Sequence, residues 1–345
     1  MSEANWSMRA MEAGDLDLIR ALYAAVWGYN RPRDYDQWRY FTAPEGICPA
    51  MLAMDGERAA GFYTAWPVRI RLGDEVVPGI QSMDTMTHPD YQGQGMFVKL
   101  ANACYELAAS RGFEVIYGFP NPLSYPGFVR RLNLDHSGNI AHWTRPIRPS
   151  AHPRVPGALG PLADAAAALW PRGSAGGLEI RSGRPEPAAL GALLGDWCAE
   201  PGLCRIERTP QWLDWRYAPE AGHDYEWVCA YEGDTPVAAG VWGMRGAAWA
   251  EAADGRAHLV ELLGGHRRGV EAVLAAVIGR ARRRRAWILE TLCNVAPVVA
   301  ALRRAGFVRH RMAPFIVRAL TARTLGANVH AHASWRIMGG DVDTL

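Results

Sequence analysis

A short glycine-bearing loop between a strand and a helix constrains this chain more than any other feature of its sequence. Residues 79–87 alternate with β-branched residues and methionines, which predicts a strand. Residues 98–111 place apolar side chains at spacings of three and four, which predicts a helix. Between them, Gln92–Gly95 has the sequence Gln-Gly-Gln-Gly. A strand, a glycine loop and a helix in this order direct free backbone N–H groups and the helix dipole at an anion such as phosphate.

Two glycines in a loop are weak evidence by themselves, because such loops are more often ordinary turns than phosphate sites. Gly93 and Gly95 would let a ligand come close to the backbone, since neither carries a Cβ atom. The loop lacks the third glycine of a Rossmann fingerprint and the Gly-Lys-Ser/Thr of a Walker loop. These two classes of nucleotide-binding loop are therefore excluded.

The longer string that contains the loop is more specific. His88–Gly95, with the sequence His-Pro-Asp-Tyr-Gln-Gly-Gln-Gly, follows the predicted strand and resembles motif A of the GNAT superfamily of acyl-CoA N-acyltransferases. The loop of that motif is Arg/Gln-x-x-Gly-x-Gly/Ala. Gln92, Gly95 and Phe97 fill its places, with Phe97 where the family usually has a small residue. The resemblance implies that the loop binds the pyrophosphate of acetyl-CoA or another acyl-CoA.

Composition excludes several other classes of protein. A length of 345 residues predicts two domains of roughly 150 residues each, and 49% hydrophobic residues allow a large core. A net charge of +2 argues against general nucleic-acid binding. None of the six cysteines forms a C-x-x-C pair, which indicates reduced thiols in a cytoplasmic protein and no metal site. With no signal peptide and no long apolar run, we expect no membrane association.

The order of predicted elements indicates an α/β (α+β) fold with two domains, each a mixed central sheet flanked by helices. Residues 1–148 resemble one complete GNAT domain, and 149–177, rich in proline, glycine and alanine, predict a linker. Residues 178–320 predict a second GNAT-like domain, and 321–345 a tail that returns over the first domain's site. In GNAT folds the segment after the first helix, here 31–40, covers the acceptor; the alternative is a packed surface helix.

Two segments 173 residues apart (294 − 121) indicate an internal repeat and hence a tandem GNAT. At Arg268, the position equivalent to the end of the glycine loop, no Gln-x-x-Gly-x-Gly occurs. Asp84 lies 37 positions before Asn121, whereas Glu261 lies only 33 before Asn294, so the connection is also shorter. We therefore predict that the first domain binds acyl-CoA and that the second is degenerate and shapes the substrate site.

Acyl transfer to an amine needs a polarised carbonyl, a neutral amine and a protonated leaving thiolate. The resemblance implies that backbone N–H groups of Met86 and Thr87 bind the acyl carbonyl and pantetheine. Asp84 is the candidate general base, because it precedes Met86 by two residues and faces the same side of the strand. Burial there is expected to raise its pKa. The alternative role for Asp84 is a salt bridge or a turn contact.

A tyrosine usually protonates the thiolate in GNAT enzymes. Its usual position, seven after Asn121, is Phe128 here, whereas Tyr125 lies one helical turn earlier and is the candidate acid. The alternative for Tyr125 is a core aromatic. The resemblance also implies that Asn121 binds the pantetheine arm. The complete predicted cofactor-binding set is Met86, Thr87, Gln92, Gly93, Gln94, Gly95, Met96 and Asn121.

The acceptor is indicated only by resemblance. Asp84–Tyr91, together with Asn-Pro-x-Ser-Tyr-Pro-Gly-Phe from Asn121, is similar to GNAT proteins of polysaccharide and specialised-metabolite pathways. This implies a primary amine of a small molecule such as an amino sugar, and it leaves a homodimer open. Two alternatives remain, a non-catalytic acyl-CoA sensor and a relative that uses tRNA, and the balanced charge argues against the second.

Overall fold

The structure is a computed structural model, and it describes residues 6–152, 154–171, 176–197, 203–245, 255–322, 325 and 328–343. The helices are α1 (Leu16–Trp27), α2 (Arg33–Phe41), α3 (Met96–Ser110), α4 (Tyr125–Arg131), α5 (Gly160–Leu169), α6 (Pro187–Trp197), α7 (Pro210–Arg216), α8 (Arg267–Arg283) and α9 (Ala296–Arg304). The strands are β1 (Ser7–Ala10), β2 (Ala50–Asp55), β3 (Arg58–Leu72), β4 (Glu75–Thr87), β5 (Val115–Gly118), β6 (Asp135–Pro146), β7 (Glu179–Ser182), β8 (Cys204–Ile206), β9 (Glu226–Glu232), β10 (Thr235–Met244), β11 (Arg256–Leu263), β12 (Ile288–Leu292), β13 (Val308–Ala319) and β14 (Trp335–Arg336).

Contacts divide the chain into two compact units, which are not continuous in sequence. Unit 1 comprises Met1–Asn139, Gly202–Trp215 and Pro314–Trp335. Unit 2 comprises Ile140–Pro201, Arg216–Ala313 and Arg336–Leu345. The predicted linker at 149–177 lies within unit 2 and contains α5.

Unit 1 is built on a mixed sheet with the strand order β1-β2-β3-β4-β5-β13. The first four strands are antiparallel, β4 and β5 are parallel, and Ile316–Ala319 of β13 pair antiparallel with β5. Strands β2 and β3 form a hairpin, in which Asp55 pairs with Arg58 across the turn. The predicted apolar face of α3 is largely confirmed: Leu100, Ala101, Cys104 and Ala108 are buried in the core of unit 1.

Unit 2 repeats this plan with the order β6-β12-β11-β10-β9-β7. Strands β11 and β12 are parallel, and the other neighbours are antiparallel. Helix α8 buries Val273, Leu274 and Val277 in the core of this unit. The predicted fold class, a mixed α/β architecture with two central sheets flanked by helices, is confirmed.

Each unit takes one sheet strand from the other half of the sequence. The end of β6, which follows α4, pairs with β12 in unit 2. The end of β13, which follows α9, pairs with β5 in unit 1. The observed division therefore differs from the continuous boundaries 1–148 and 178–320, since those boundaries assume that each half completes its own sheet. The roles assigned to the two domains stay predictions.

Candidate active site

Strands β4 and β5 pair over only three positions, Gly79–Gln81 with Val115–Tyr117. Beyond Gln81, β4 continues for six residues to Thr87. In the part of the chain that the structure describes, no strand pairs with this outer edge of β4 beyond Gln81. Its backbone groups can therefore pair with an extended ligand, as an exposed strand edge does.

A β-bulge lies on the same stretch of β4. Phe62 pairs with Met86 but Thr64 pairs with Met83, so β4 has one extra residue at this point. Asp84 lies in the bulge with a φ of 34°, in the left-handed region that few residues other than glycine adopt. A bulge bends its strand and redirects its side chains. The bulge thus places Asp84 within the unpaired edge.

The glycine loop is exposed and open at the N-terminus of α3. Gly93 and Gly95 have φ values of 78° and 72°, and a Cβ added at either position would meet nothing within 4 Å. Gly95 is the N-cap of α3 and provides no side-chain cap, so the first N–H groups of the helix have no intrahelical acceptor. Lys99 adds a positive charge in the second turn. This is the geometry of an anion site.

The side chains of two predicted loop residues are already in use. The indole N–H of Trp6 donates to Oε1 of Gln94 at 3.1 Å. Met96 is only 2% exposed, and its Sδ occupies the space that a Cβ at Gly61 would take. Met96 can therefore offer only its backbone to a ligand.

Phe97 departs from the GNAT motif for a reason that the packing explains. Its ring centroid lies 5.1 Å from that of Phe128 and 6.2 Å from that of Tyr63, so it packs in the core between α3 and α4. A Cβ added at Gly127 would come within 2.6 Å of Phe97 Cε1. The aromatic ring is thus accommodated by Gly127 and does not fill the loop.

Asp84 is surrounded by hydrogen-bond donors from α2 and the residues before it. Arg39 donates from Nε to Oδ2 at 2.7 Å and from Nη2 to Oδ1 at 3.1 Å. Arg31 Nη1 and the Tyr40 hydroxyl donate to Oδ2 at 3.1 and 2.7 Å. The carboxylate therefore accepts four hydrogen bonds, three of them from guanidinium groups.

The prediction that burial raises the pKa of Asp84 is wrong. Burial does oppose the charged form, but the positive charges of Arg31 and Arg39 outweigh it and hold the pKa of Asp84 well below its usual range. The carboxylate is therefore ionised at every pH at which the protein would be assayed. A carboxylate with so low a pKa is a weak general base.

The ionic network continues into α1 and α2. Arg31 Nε donates to Oδ1 of Asp36 at 2.7 Å, and Arg20 pairs with the other oxygen of Asp36. Burial raises the pKa of Asp36, although both arginines oppose that shift. The guanidinium of Arg31 also lies 4.1 Å from the ring centroid of Tyr23. Much of 31–40 is therefore a buried polar layer that connects α1 and α2 to the bulge.

Tyr125 is the first residue of α4, and Asn121 lies just before the turn that precedes this helix. Oδ1 of Asn121 accepts the N–H groups of Leu123 and Ser124, each at 2.9 Å, and its side-chain amide has no acceptor within the described residues. Tyr125 is half-buried, with its ring edge-on to His136 at 5.6 Å. Among the described residues its hydroxyl has no hydrogen-bond partner. Both groups can therefore donate to a ligand.

The other predicted residues of β4 differ in exposure. Met86 is 2% exposed and Thr87 is half-buried, so Met86, like Met96, is available through its backbone. Part of the predicted tail lies in unit 1, where Trp335 packs 5.9 Å from the ring of Tyr117. Tyr117 donates to Gln81 Oε1 at 3.1 Å, at the last paired position of β4. That the tail covers the active site stays a prediction.

Sequence reasoning missed the side chains that donate hydrogen bonds to Asp84. Arg31, Arg39 and Tyr40 lie 53, 45 and 44 positions away from it. The signal in the sequence was a cluster of arginine, aspartate and tyrosine within 31–40. Within the described residues, no group of three or more His, Cys, Asp or Glu could hold a metal, and no helix is long and apolar enough to cross a membrane.

Comparison with known proteins agrees with this geometry. Residues 7–136 match a family model described as an acetyltransferase (GNAT) domain. Over these residues the chain is similar to the GNAT acetyltransferase family. The match covers the bulge and the glycine loop, where the sequence resemblance was found. No curated protein matches the chain.

Solved structures extend the fold to the whole chain. A GNAT protein from Anabaena variabilis has a TM-score of 0.63 at 10% identity over 92% of this chain and 73% of its own. A tandem GNAT protein of the clavulanic acid biosynthesis pathway has a TM-score of 0.54 at 14% identity, over 92% and 100%. N-myristoyltransferase of Saccharomyces cerevisiae, solved with bound myristoyl-CoA, has a TM-score of 0.64 at 10% identity. The match covers 91% of this chain and 78% of that protein. These likenesses show the fold, and the predicted tandem GNAT arrangement is confirmed.

Proposed function

We propose that this GNAT protein transfers an acetyl or other short acyl group from acyl-CoA to a primary amine of a small molecule, such as an amino sugar or specialised metabolite. One observation carries the proposal. The outer edge of β4 loses its strand partner after Gln81, and the open N-terminus of α3 follows only a short loop later. An extended arm with an anionic end fits this combination, and acyl-CoA has both.

In this proposal the loop Gln92–Gly95 and the first N–H groups of α3 bind the pyrophosphate. Lys99 adds attraction for the negative charge. The pantetheine arm lies along the outer edge of β4, where backbone groups of Met86 and Thr87 hydrogen-bond to it. An N–H of this edge also polarises the acyl carbonyl and stabilises the oxyanion that forms as the amine attacks. The amide of Asn121 supplies a further donor.

Protonation of the leaving thiolate is assigned to Tyr125. Its hydroxyl is not engaged by any described residue, and Phe128, at the usual tyrosine position, is buried in the core. A hydroxyl without a protein partner is free to donate to the sulfur. This supports Tyr125 over Phe128 as the source of the proton.

Asp84 has two competing roles, and the geometry favours one of them. As the general base predicted from sequence, it would accept the proton of the amine. As a positioning residue, it would hold Arg31, Arg39 and the bulge in place. Four hydrogen bonds and a depressed pKa favour positioning. The amine then loses its proton to water or to another group.

The four hydrogen bonds that Asp84 accepts favour one alternative function. A chain whose candidate base is saturated with donors could bind acyl-CoA without catalysis and act as a sensor. A thiol-release assay with acetyl-CoA and a panel of small primary amines separates the two functions. Release of CoA that depends on the amine supports the transferase, whereas tight acetyl-CoA binding without release from any amine supports the sensor. Absence of binding would refute both.

A further inference from the structure

Unit 2 contains the same strand geometry as the candidate active site. Strands β11 and β12 also pair over three positions, the last of which joins His258 to Glu290, and β11 then continues to Leu263. Val241 pairs with Glu261 but Trp242 pairs with Leu259, so β11 too has one extra residue. A bulge thus follows the last parallel pair in both units.

The two units can be aligned through these last pairs. Glu261 lies three residues after His258, as Asp84 lies three after Gln81. The intervals across the parallel pairs are 32 residues (290 − 258) and 36 residues (117 − 81). The four-residue difference falls within the connection that holds the glycine loop in unit 1. Unit 2 therefore has the cleft beside its bulged strand but not the loop.

The cleft of unit 2 is occupied by a segment of the same chain, Ile337–Val342. The N–H of Ile337 donates to Oδ1 of Asn294 at 2.8 Å, and the N–H of Asn294 donates to the carbonyl of Ile337 at 3.2 Å. Asn294 lies four residues after Glu290, as Asn121 lies four after Tyr117. The segment therefore hydrogen-bonds to Asn294, which is equivalent to Asn121, the residue predicted to bind pantetheine.

The other side of the segment lies directly against the bulge of β11. A Cβ added at Gly339 would be 3.1 Å from both the Leu259 carbonyl oxygen and Val260 Cα. A Cβ added at Gly340 would overlap Glu261 Oε1 and the hydroxyl of Tyr217. These approaches require glycine. The segment therefore fills the space between the bulged strand and the residue that follows β12.

Further contacts hold the segment in the cleft. Arg216 donates from Nε to the carbonyl of Gly340 at 3.1 Å and from Nη2 to that of Val342 at 2.9 Å. The carboxylate of Asp341 accepts the N–H of Met338 at 2.8 Å. Every residue of Ile337–Val342 is buried. The segment is therefore packed as part of the folded unit and is not an exposed terminal segment.

At the position equivalent to the pyrophosphate site, one backbone donor is already in use. Nδ1 of His266, the N-cap of α8, accepts the N–H of Gly269 at 3.2 Å. At α3 the N-cap is Gly95, which has no side chain to do so. A side chain of the protein thus uses a donor that an anion would need.

We propose that Ile337–Val342 is a built-in occupant of the unit 2 cleft, where it takes the place of an acyl-pantetheine arm and closes this unit to acyl-CoA. The proposal rests on the proposed function only for the identity of the excluded ligand. It also gives Glu261 a role that is not catalytic. Glu261 accepts a hydrogen bond from Tyr217 at 2.7 Å beside Gly340, and so forms part of the wall of the filled cleft.

Hydrogen–deuterium exchange on the full chain, with and without acetyl-CoA, tests the proposal. In the free protein we expect amides of 337–342 to exchange at least about 100-fold more slowly than unprotected amides. Acetyl-CoA should slow exchange at 92–98 and leave 337–342 and 264–269 unchanged. Unprotected exchange at 337–342 in the free protein would overturn the proposal. So would faster exchange there, or protection at 264–269, when acetyl-CoA is added.

The two proposals fail in different ways. If acetyl-CoA protects nothing at 92–98, the proposed function is refuted, whereas slow exchange at 337–342 in the free protein still supports the occupied cleft. If neither 92–98 nor 337–342 is protected, circular dichroism tells whether the protein has unfolded. In a folded protein, that result refutes both proposals.

Two variants sharpen the test. Gly340→Val places a side chain where Glu261 and Tyr217 already lie, so exchange at 337–342 should become at least about tenfold faster. Gly191→Val is the matched control, because a Cβ at Gly191 would meet nothing within 4 Å. If Gly340→Val fails to fold, Asn294→Ala removes the acceptor of the Ile337 N–H and should speed exchange at Ile337 by roughly tenfold. Unchanged exchange in a folded Gly340→Val variant, or in Asn294→Ala, contradicts the proposal.

Discussion

Asp84→Asn is the substitution that most directly tests how the candidate active site is built. It keeps the size of the side chain but removes the charge that pairs with Arg31 and Arg39, whose side chains are 6% and 3% exposed. Removing one partner of a buried ion pair costs about 3–5 kcal/mol, because the remaining charge is left without compensation. The substituted amide would still accept one of the hydrogen bonds, and the Asp84 side chain is 15% exposed. We therefore expect a loss at the lower end of that range, about 3 kcal/mol.

The pH dependence of this loss follows from the sign of the pKa shift. The pKa of Asp84 is lower in the folded protein than in the unfolded chain. Its contribution to stability is thus fully present above the unfolded pKa of about 4 and is lost as the pH falls toward the folded pKa. Asp84→Asn and the parent should therefore differ most above about pH 5 and converge at lower pH.

Urea unfolding at several pH values, followed by circular dichroism, measures both effects. Asp17→Asn is the matched control, since it breaks an exposed pair with Arg33 and should leave the midpoint unchanged. An Asp84→Asn midpoint equal to that of the control would refute the buried-network reasoning.

Kinetics of the same variant separate the two roles of Asp84. A positioning residue predicts a lower kcat with the shape of the pH–rate profile retained, because Asp84 does not titrate in the assay range. A general base predicts that the variant loses an ionisation visible in the parent profile. The second result would show that the low pKa does not persist in the complex with substrate.

The remaining predictions concern the ligand. Calorimetry should give one acetyl-CoA per chain, because the cleft of unit 2 is occupied; two equivalent sites would contradict this. Gly95→Val should weaken acetyl-CoA binding at least about tenfold, since a side chain would enter the anion site. Gly112→Val, at the other end of α3 with a φ of 87° and open space around it, carries the same backbone strain and should bind normally. Tyr125→Phe should slow CoA release by at least roughly tenfold with little change in KM and a stability loss of about 1 kcal/mol at most. Equal activity with a lower Tm would instead make Tyr125 a packing residue.

Short-range features of this protein could be predicted from the sequence because the forces that produce them act within a few residues. The glycines at 93 and 95 allow the left-handed backbone of the loop, and apolar spacing sets the buried face of α3. The turn at Asp55 sets the β2–β3 hairpin. The internal repeat could also be predicted from the sequence, and counting residues back from Asn294 shows that its connection is shorter.

Only the tertiary structure decided the electrostatics and the exchange of strands. A buried carboxylate can have a raised or a lowered pKa, and the outcome for Asp84 depends on arginines more than 40 positions away. Which sheet receives β6 and β13 depends on pairing that no local pattern encodes. Likewise, nothing in the composition of Ile337–Val342 indicates that it lies against Glu261 and Asn294. These contacts form because long-range packing brings distant residues together, and packing depends on the whole chain.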